Sequence, residues 1–560
     1  MYRQTKRRKN ANPVPVIAVL ILTVIVAALG IRAYIRELHT PSTEHVLPSS
    51  YFAVPEGTTA IFADGRFLDT YGVERDGTLY VPYETAEAYI TDKIFYDDLN
   101  GILTLTTPTQ IIRIQSSDGR EVIAEGGEVY LSVDFLSAYS AADCSFGEEP
   151  SRLVIWKDKT LSETETAAEA SLRTGPDIKA PILSDLPAGA HLRVLSETEE
   201  NGFIAVASDS GIPGYVLRGE LGPIRESRSP QPGGSEYSCI RKEGDIVLLF
   251  HQTDSQAAND ALVRSLTGVS GVNVIAPTWF FLNSTDGQMT DLTSTAYVQE
   301  AAARGMTVWA VANDFDGAVS SQAETGEALR NTYARDSMIR TITDGAIACG
   351  AEGVCLDFEN VSAASADAYL AFIRELSAVC RSRQLILSVC SYVPQAYNAF
   401  LNRPAQAEVA DYLIIMAYDE HYAGSETAGS VSSLAWVRAA VSGGVEEATA
   451  EKTIIALPFY TRLWETVSSE RPTSRAMGMQ EAQQVIAENG MQTRWDAELG
   501  QTYAYTAGGS PKKEMWVEDL RSLELKLTEA QQGGVSGVAF WKLGLEDYGV
   551  WPVISDYFKS

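Results

Sequence analysis

The alternation of apolar and polar positions divides the chain into stretches of different period. From Val14 to Ile31 the sequence is uncharged and continuously apolar, about the length of a helix that crosses a bilayer. His39 to Pro48 is polar and contains proline, as a short stalk would be. From about Tyr51 to Lys159 short alternating runs follow, among them Thr78–Pro82, Ile102–Thr106 and Leu153–Trp156, with one helical pattern at Tyr83 to Ile90. They predict a small α+β module. Ser171 to Gly222 holds five short runs between Gly- and Pro-rich turns, the pattern of a small β-barrel. After a Ser/Pro/Gly linker at Ser227 to Ser235 the period changes again. Continuous apolar runs recur at Asp245–Phe250, Val272–Ala276, Thr307–Ala312, Gly353–Phe358, Leu385–Val389, Tyr412–Ala417, Thr453–Leu457 and Val535–Trp541. Most are separated by helical patterns such as Asp367–Arg381 and Leu434–Ser442. Strands buried on both faces, alternating with helices, predict a (β/α)8 TIM barrel, with a doubly wound open sheet as the alternative. Phe459 to Gly534 is too long for one crossover and predicts an inserted α+β subdomain, with strands at Gln501–Ala507 and Glu514–Val517.

Composition narrows this picture. A chain of 560 residues implies roughly two to four domains, and 45% hydrophobic with 21% charged residues is the balance of a folded protein. The net charge of -29 argues against a nucleic-acid partner, which requires a surplus of Lys and Arg. Six cysteines form no CxxC pair and the five histidines offer no zinc spacing. No metal or cofactor is expected. Cys349, Cys355 and Cys390 lie in apolar runs and read as small buried hydrophobes. Arg3, Lys6, Arg7, Arg8 and Lys9 precede the apolar run. This basic flank predicts a cytoplasmic N-terminus, a single-pass anchor in the cell membrane and extracellular C-terminal domains. No clean small-x-small site follows the run, so a retained anchor is expected rather than a cleaved signal.

In a parallel barrel, chemistry gathers at the C-terminal ends of the strands. The fourth run ends in Asp357-Phe-Glu359, and a period of two puts Cys355, Asp357 and Glu359 on one side. Two carboxylates in one crowded site push one pKa up, which allows a general acid near neutral pH. The plainer alternative is that they cap the next helix. The sixth run ends in Met416-Ala-Tyr418-Asp419-Glu420-His421, and the eighth in Phe540-Trp541, whose flat face suits a sugar ring.

Together these strand ends resemble glycoside hydrolase family 18, whose signature is Asp-x-x-Asp-x-Asp-x-Glu on strand four, Met-x-Tyr-Asp on strand six and a Trp on strand eight. The resemblance runs from about Glu243 to the C-terminus. It also takes in Pro277-Thr-Trp279-Phe280, Leu457-Pro-Phe-Tyr460-Thr-Arg-Leu-Trp464, Met477-Gly-Met479 and Trp516-Val-Glu-Asp519. Within the family the chain looks most like the spore-cortex and cell-wall N-acetylglucosaminidases. The resemblance implies hydrolysis of β-1,4 bonds next to N-acetylglucosamine, in peptidoglycan or a chitin-like polymer, by a substrate-assisted retaining mechanism. It makes Glu359 the acid and Asp357 the group that orients the substrate acetamide. Tyr418 and Asp419 would assist, and Trp541 would floor the subsite. Glu352, Trp279, Tyr460, Asn313 and Glu420 complete the expected substrate-binding set. Two positions depart from the signature: its first Asp is Glu352 and its second is Cys355, which cannot give the hydrogen bonds of a carboxylate. A non-catalytic, lectin-like organiser of the cell wall is the alternative.

Upstream, the pattern from Gly77 resembles a copper-amine-oxidase N-terminal-like module, without copper, since the segment lacks His. Leu172-Arg173, Pro187-Ala-Gly189 and Gly214-Tyr-Val216 resemble a bacterial SH3 domain. The expected organisation is therefore 1-13 basic tail, 14-35 anchor, 36-50 stalk, 51-159 α+β module, 160-226 SH3-like β-barrel, 227-242 linker and 243-560 barrel, with the insertion at about 462-530.

Overall fold

The computed structural model describes residues 14–157, 160–228, 237–467 and 470–557. The basic tail and most of the linker lie outside the described residues. Val14–His39 is one helix, and an 18-residue window of its stretch from Ala18 to His39 has a mean hydropathy of 2.3 with none of it buried. It is long and apolar enough to cross a membrane, a test that a signal sequence also passes.

The chain divides into two compact units. The first takes the residues up to Asp92 and Ile123–Gly234. Its two seven-stranded sheets are mainly antiparallel, with Thr58–Ala63 running parallel to Arg152–Trp156. The helix expected at Tyr83 is present over Tyr83–Tyr89, and a second, unexpected one spans Val133–Tyr139. Phe62, Val154, Trp156 and Ala207 form an apolar cluster between the two sheets.

The second unit joins Ser235–Ser560 to an excursion from the N-terminal region, Lys93–Val122. The segment 51-159 is therefore not one compact body: the three-stranded sheet Ile94–Asp97, Ile102–Thr106 and Ile111–Gln115 belongs with the barrel. Arg113 reaches Asp336 and the buried Glu375, the Asp97 carboxylate accepts from the Thr332 amide, and Arg335 lies over the Phe95 ring. These polar anchors on helices of the barrel have no periodic apolar signature, so the pattern did not reveal them.

The barrel itself has the predicted eight parallel strands: β1 Ile246–His251, β2 Val274–Leu282, β3 Thr307–Asn313, β4 Gly353–Asp357, β5 Ile386–Tyr392, β6 Tyr412–Met416, β7 Thr453–Pro458 and β8 Gly537–Trp541. Each pairs with the next, and β8 pairs with both β7 and β1, so the sheet closes and the open alternative falls away. Alternation along the strands sorts side chains into two layers. Ile246, Leu248, Phe250, Val274, Trp309, Cys355, Ile414 and Ile454 fill the interior, while Val354, Leu356, Leu387, Leu413 and Ile455 face the outer helices. Closure requires glycine at the start of β8, where a Cβ on Gly537 would stand 2.1 Å from the Ile246 carbonyl oxygen.

The outer helices start on the side-chain caps that their sequences supply, including Ser294, Ser321, Asn331 and Ser433. The helix after β4, Ala366–Ser382, buries Tyr369, Phe372, Ile373 and Leu376 against the sheet. Between β7 and β8 lies the inserted subdomain, a five-stranded antiparallel sheet with the helix Met479–Glu488. Its strands at Gln501–Tyr505 and Lys512–Val517 fall on the two expected runs.

Candidate active site

Strand alternation decides where the β4 acids point. Phe358 turns outward, stacked on Tyr369 with centroids 6.2 Å apart and tilted against Phe372 at 5.6 Å. Asp357 and Glu359 therefore turn inward, above the interior cluster. Asp357 is 3% exposed, and Glu359 is half-buried. Tyr418 and Trp541, from the ends of β6 and β8, pack on the same interior cluster as its partly exposed lid, with Trp541 tilted on Phe250 at 5.3 Å. Tyr418 meets Tyr460 edge-on at 6.1 Å, and the Tyr460 hydroxyl donates to Asp419 Oδ1 at 2.8 Å. Asp419 holds φ at +53°, in the left-handed region, where a non-glycine residue bears about 1–2 kcal/mol of strain. Six expected residues thus share one barrel mouth: Asp357, Glu359, Tyr418, Asp419, Tyr460 and Trp541.

Several residues at the mouth escaped the sequence reading. Asp314, fully buried just beyond β3, clamps the chain beyond β4: its Oδ1 accepts from the Glu359 amide at 2.8 Å and its Oδ2 from the Asn360 amide at 3.0 Å. Tyr392 at the end of β5 donates its hydroxyl to Glu359 Oε2 at 2.9 Å. Cys390, the neighbour of Asp357 on β5, has its sulfur 3.5 Å from that of Cys355. Lys542 follows Trp541 and donates to Gln252, with Asp316 and Asp254 acting on its charge. The available signal was the position of Asp314, Cys390 and Tyr392 at strand ends, which polar character alone did not separate from turns.

Burial and like charge set the electrostatics. Desolvation pushes the Asp357 carboxyl well above its usual range, and the charges of Glu359, Cys355 and Asp314 push the same way. Desolvation also raises Glu359; the Tyr392 hydrogen bond opposes this, and Asp314, Asp419 and Asp316 add to it. Asp419 is raised by the surrounding protein, although part of it meets solvent, and its bond from Tyr460 works against that rise. Such a cluster holds a proton on a carboxyl above the ordinary carboxylate range, which a general acid requires.

Of the four other expected substrate-binding residues, Asn313 is level with Asp357 at the mouth, while Glu352, Trp279 and Glu420 turn away from it. Glu352 precedes β4 and lies at the opposite end of the barrel, where it accepts from Lys242 Nζ at 2.9 Å, Trp309 Nε1 at 2.9 Å and Thr307 Oγ1 at 2.6 Å. Burial alone would raise its pKa, but these bonds and the Lys242 charge outweigh it and hold the carboxyl below its usual value. Trp279 is fully buried in the outer layer, because β2 extends to Leu282 with a bulge at this residue; its indole donates to Asn259 Oδ1 at 2.9 Å. Asn313 is fully buried and binds within its own turn, giving to Asp316 and accepting from the Phe315 and Asp316 amides. Glu420 turns to the next helix, accepting from the Ser433 amide at 2.8 Å and hydroxyl at 3.1 Å.

Residues 315–546 match the family model described as glycosyl hydrolases family 18. The chain is 28% identical over 234 residues to the putative sporulation-specific glycosylase YdhD of Bacillus subtilis, covering 39% of this chain and 53% of that protein. It is 21% identical over 319 residues to the cortical fragment-lytic enzyme of Bacillus anthracis, covering 56% of this chain and 74% of that one. It thus spans about half of the first of these relatives and about three quarters of the second. Among solved structures, the Bacillus cereus spore cortex-lytic enzyme SleL superposes with a TM-score of 0.51 at 19% identity, over 60% of this chain and 78% of that one. The C-terminal domain of a putative chitinase from Desulfitobacterium hafniense does so at 0.51 and 20% identity, over 56% and 100%. Those likenesses concern the fold. With a closed eight-stranded barrel, an acid pair at the end of β4 and the family match from the end of β3 to just beyond β8, the barrel is a glycoside hydrolase domain of family 18.

Proposed function

We propose that the chain hydrolyses β-1,4 bonds next to N-acetylglucosamine in peptidoglycan or a chitin-like polymer. The observation that carries the reading is the inward-facing pair Asp357 and Glu359 at the C-terminal end of β4, beside Tyr418 and Trp541. Glu359 gives its proton to the glycosidic oxygen as the bond to the anomeric carbon breaks. The carbonyl oxygen of the substrate's own 2-acetamido group attacks that carbon, held by Asp357 and Tyr418, and water later opens the cyclic intermediate. Two displacements at one carbon retain its configuration. Desolvation of Glu359 supports the acid role, because it keeps the proton on the carboxyl at higher pH. The Tyr460 bond holds Asp419 within the polar network beside the pair, and Trp541 offers a flat apolar floor.

The cortical fragment-lytic and chitinase names among the relatives support a polymer containing N-acetylglucosamine. The apolar helix Val14–His39 and the basic residues before it support a membrane-held enzyme with its barrel outside the cell. The test is release of reducing ends by the full chain in detergent from purified peptidoglycan and from N-acetylglucosamine oligomers, beside Glu359→Gln. Release by the parent and its loss in the variant is the expected result. Binding of both glycans with no release from either would replace the hydrolase by a lectin.

A further inference from the structure

The two acids of β4 are held from one neighbouring strand. In the parallel pair of β4 and β5, Leu356 is level with Val389, so the next residues, Asp357 and Cys390, run side by side, and Glu359 and Tyr392 follow at the same period. Cys390 is buried beside Asp357 in this register and acts on its carboxyl, and the Tyr392 hydroxyl donates to Glu359 Oε2 at 2.9 Å. We propose that Cys390 and Tyr392 are the positioning residues of the acid pair, Cys390 for Asp357 and Tyr392 for Glu359. The inference rests on the hydrolase reading given above.

Three observations make the division of labour specific. Asp357 Oδ1 is buried and without a hydrogen-bond partner among the described residues, so the carboxyl has few other restraints on its orientation. Cys390 is 5% exposed and touches Cys355, so the thiol that would otherwise face Asp357 from its own strand is turned to a second thiol instead. A thiol is a weak donor. It orients Asp357 while leaving the carboxyl able to accept an acetamide N–H. Glu359 is fixed twice: Asp314 of the β3 end holds its amide, and Tyr392 holds its side chain. Tyr392 is also 38% exposed, so its ring forms part of the mouth.

The groups facing Glu359 are Asp314 and Asp316 from beyond β3, Asp357 from its own strand, Tyr392 from β5 and Asp419 from β6. Those facing Asp357 are Glu359, Asp314, Cys355 and Cys390, with Tyr418 and Tyr369 close enough to feel its charge. Arg462 acts on Asp419 and Tyr460, and Lys542 lies among Asp316 and Asp254.

The test uses the full chain and two substrates: an N-acetylglucosamine oligomer, whose leaving group needs a proton, and an aryl glycoside of the same sugar, whose activated leaving group needs little. Tyr392→Phe should lower kcat about tenfold on the oligomer, spare the aryl glycoside and move the alkaline limb of the rate upward, since a donor to the carboxylate is lost. Cys390→Ala should lower kcat on both substrates about tenfold, with KM nearly unchanged, and Cys390→Ser should recover most of it. Equal losses on both substrates for Tyr392→Phe, or no recovery in Cys390→Ser, would overturn the assignment.

If the parent hydrolyses neither substrate, the hydrolase reading fails, and the contacts are still tested by infrared titration of the two carboxyls, identified with Asp357→Asn and Glu359→Gln. Tyr392→Phe should then move the Glu359 titration more than that of Asp357, and Cys390→Ala that of Asp357 more than that of Glu359. Unmoved titrations would sink the positioning roles on their own.

Discussion

Asp357 is the residue at which function works against the fold. Its carboxyl is buried beside Glu359, and desolvation raises its pKa in the folded chain above the unfolded value near 3.9. A carboxyl raised in this way favours the folded state while it is protonated. Its contribution is complete below the unfolded pKa and is lost as pH rises through the folded one. Asp357→Asn should therefore melt at a higher temperature than the parent at pH 7 and lose that advantage near pH 4, while turnover falls. An equal or lower melting temperature at pH 7 would contradict a strained acid. For Glu359 the same burial places the alkaline limb of kcat/KM above the ordinary carboxylate range, and Glu359→Gln should cost about 10²–10⁴-fold in kcat. Residue by residue, the sequence marked Asp357, Glu359, Tyr418, Asp419, Tyr460 and Trp541 because short motifs at strand ends carry them. It did not reveal that Glu352, Trp279 and Glu420 turn away from the mouth, because a motif states neither which end of a strand a residue occupies nor which layer it faces. Glu352→Gln separates these cases: it weakens the Lys242 and Trp309 contacts below the barrel, so stability should fall by about 1–3 kcal/mol with KM unchanged.

At the scale of elements, the eight strands were legible because strands buried on both faces are continuous in apolar character. The extra reach of β2 to Leu282 was not, and it accounts for Trp279 entering the outer core. Also hidden was the tie between the inserted subdomain and the barrel. Lys526, 1% exposed on the helix Leu520–Gln532, pairs with the buried Glu518, which accepts from Gln501; Gln501 in turn accepts from Ser430 in the loop beyond β6. Burial lowers the Lys526 pKa and raises that of Glu518, so each charge depends on the other. Lys526→Met leaves Glu518 buried with Gln501 and Ser522 but no cation, and should cost about 3–5 kcal/mol in urea unfolding. A loss under about 1 kcal/mol would mean that the pair contributes little. The double change Lys526→Met with Glu518→Leu should recover much of the loss, because an apolar pair removes the uncompensated charge.

For the molecule as a whole, the linker at Ser227 to Ser235 suggests a catalytic domain that begins near Glu243, since Ser, Pro and Gly mark where chains part. The structure draws a different boundary, because Lys93–Val122 packs with the barrel. Glu375 is buried on the helix Ala366–Ser382 and shared by Arg335 and Arg113, the second of which comes from the excursion. The Asp97 carboxylate accepts from the amide of Thr332, the first residue of the helix Thr332–Cys349, an amide that no turn of its own helix can satisfy. A chain cut at Glu243 therefore exposes the Phe95 side of Arg335 and leaves Glu375 with one cation in place of two. It should fold with a lower melting temperature than the full chain, and Arg113→Met within the full chain should reproduce part of the loss, about 1.5–3 kcal/mol. Activity per folded molecule should be unchanged in Arg113→Met, because the residues it touches lie on outer helices and none of the mouth residues depends on it. Equal melting temperatures for the full chain and the chain cut at Glu243 would return the boundary to the linker.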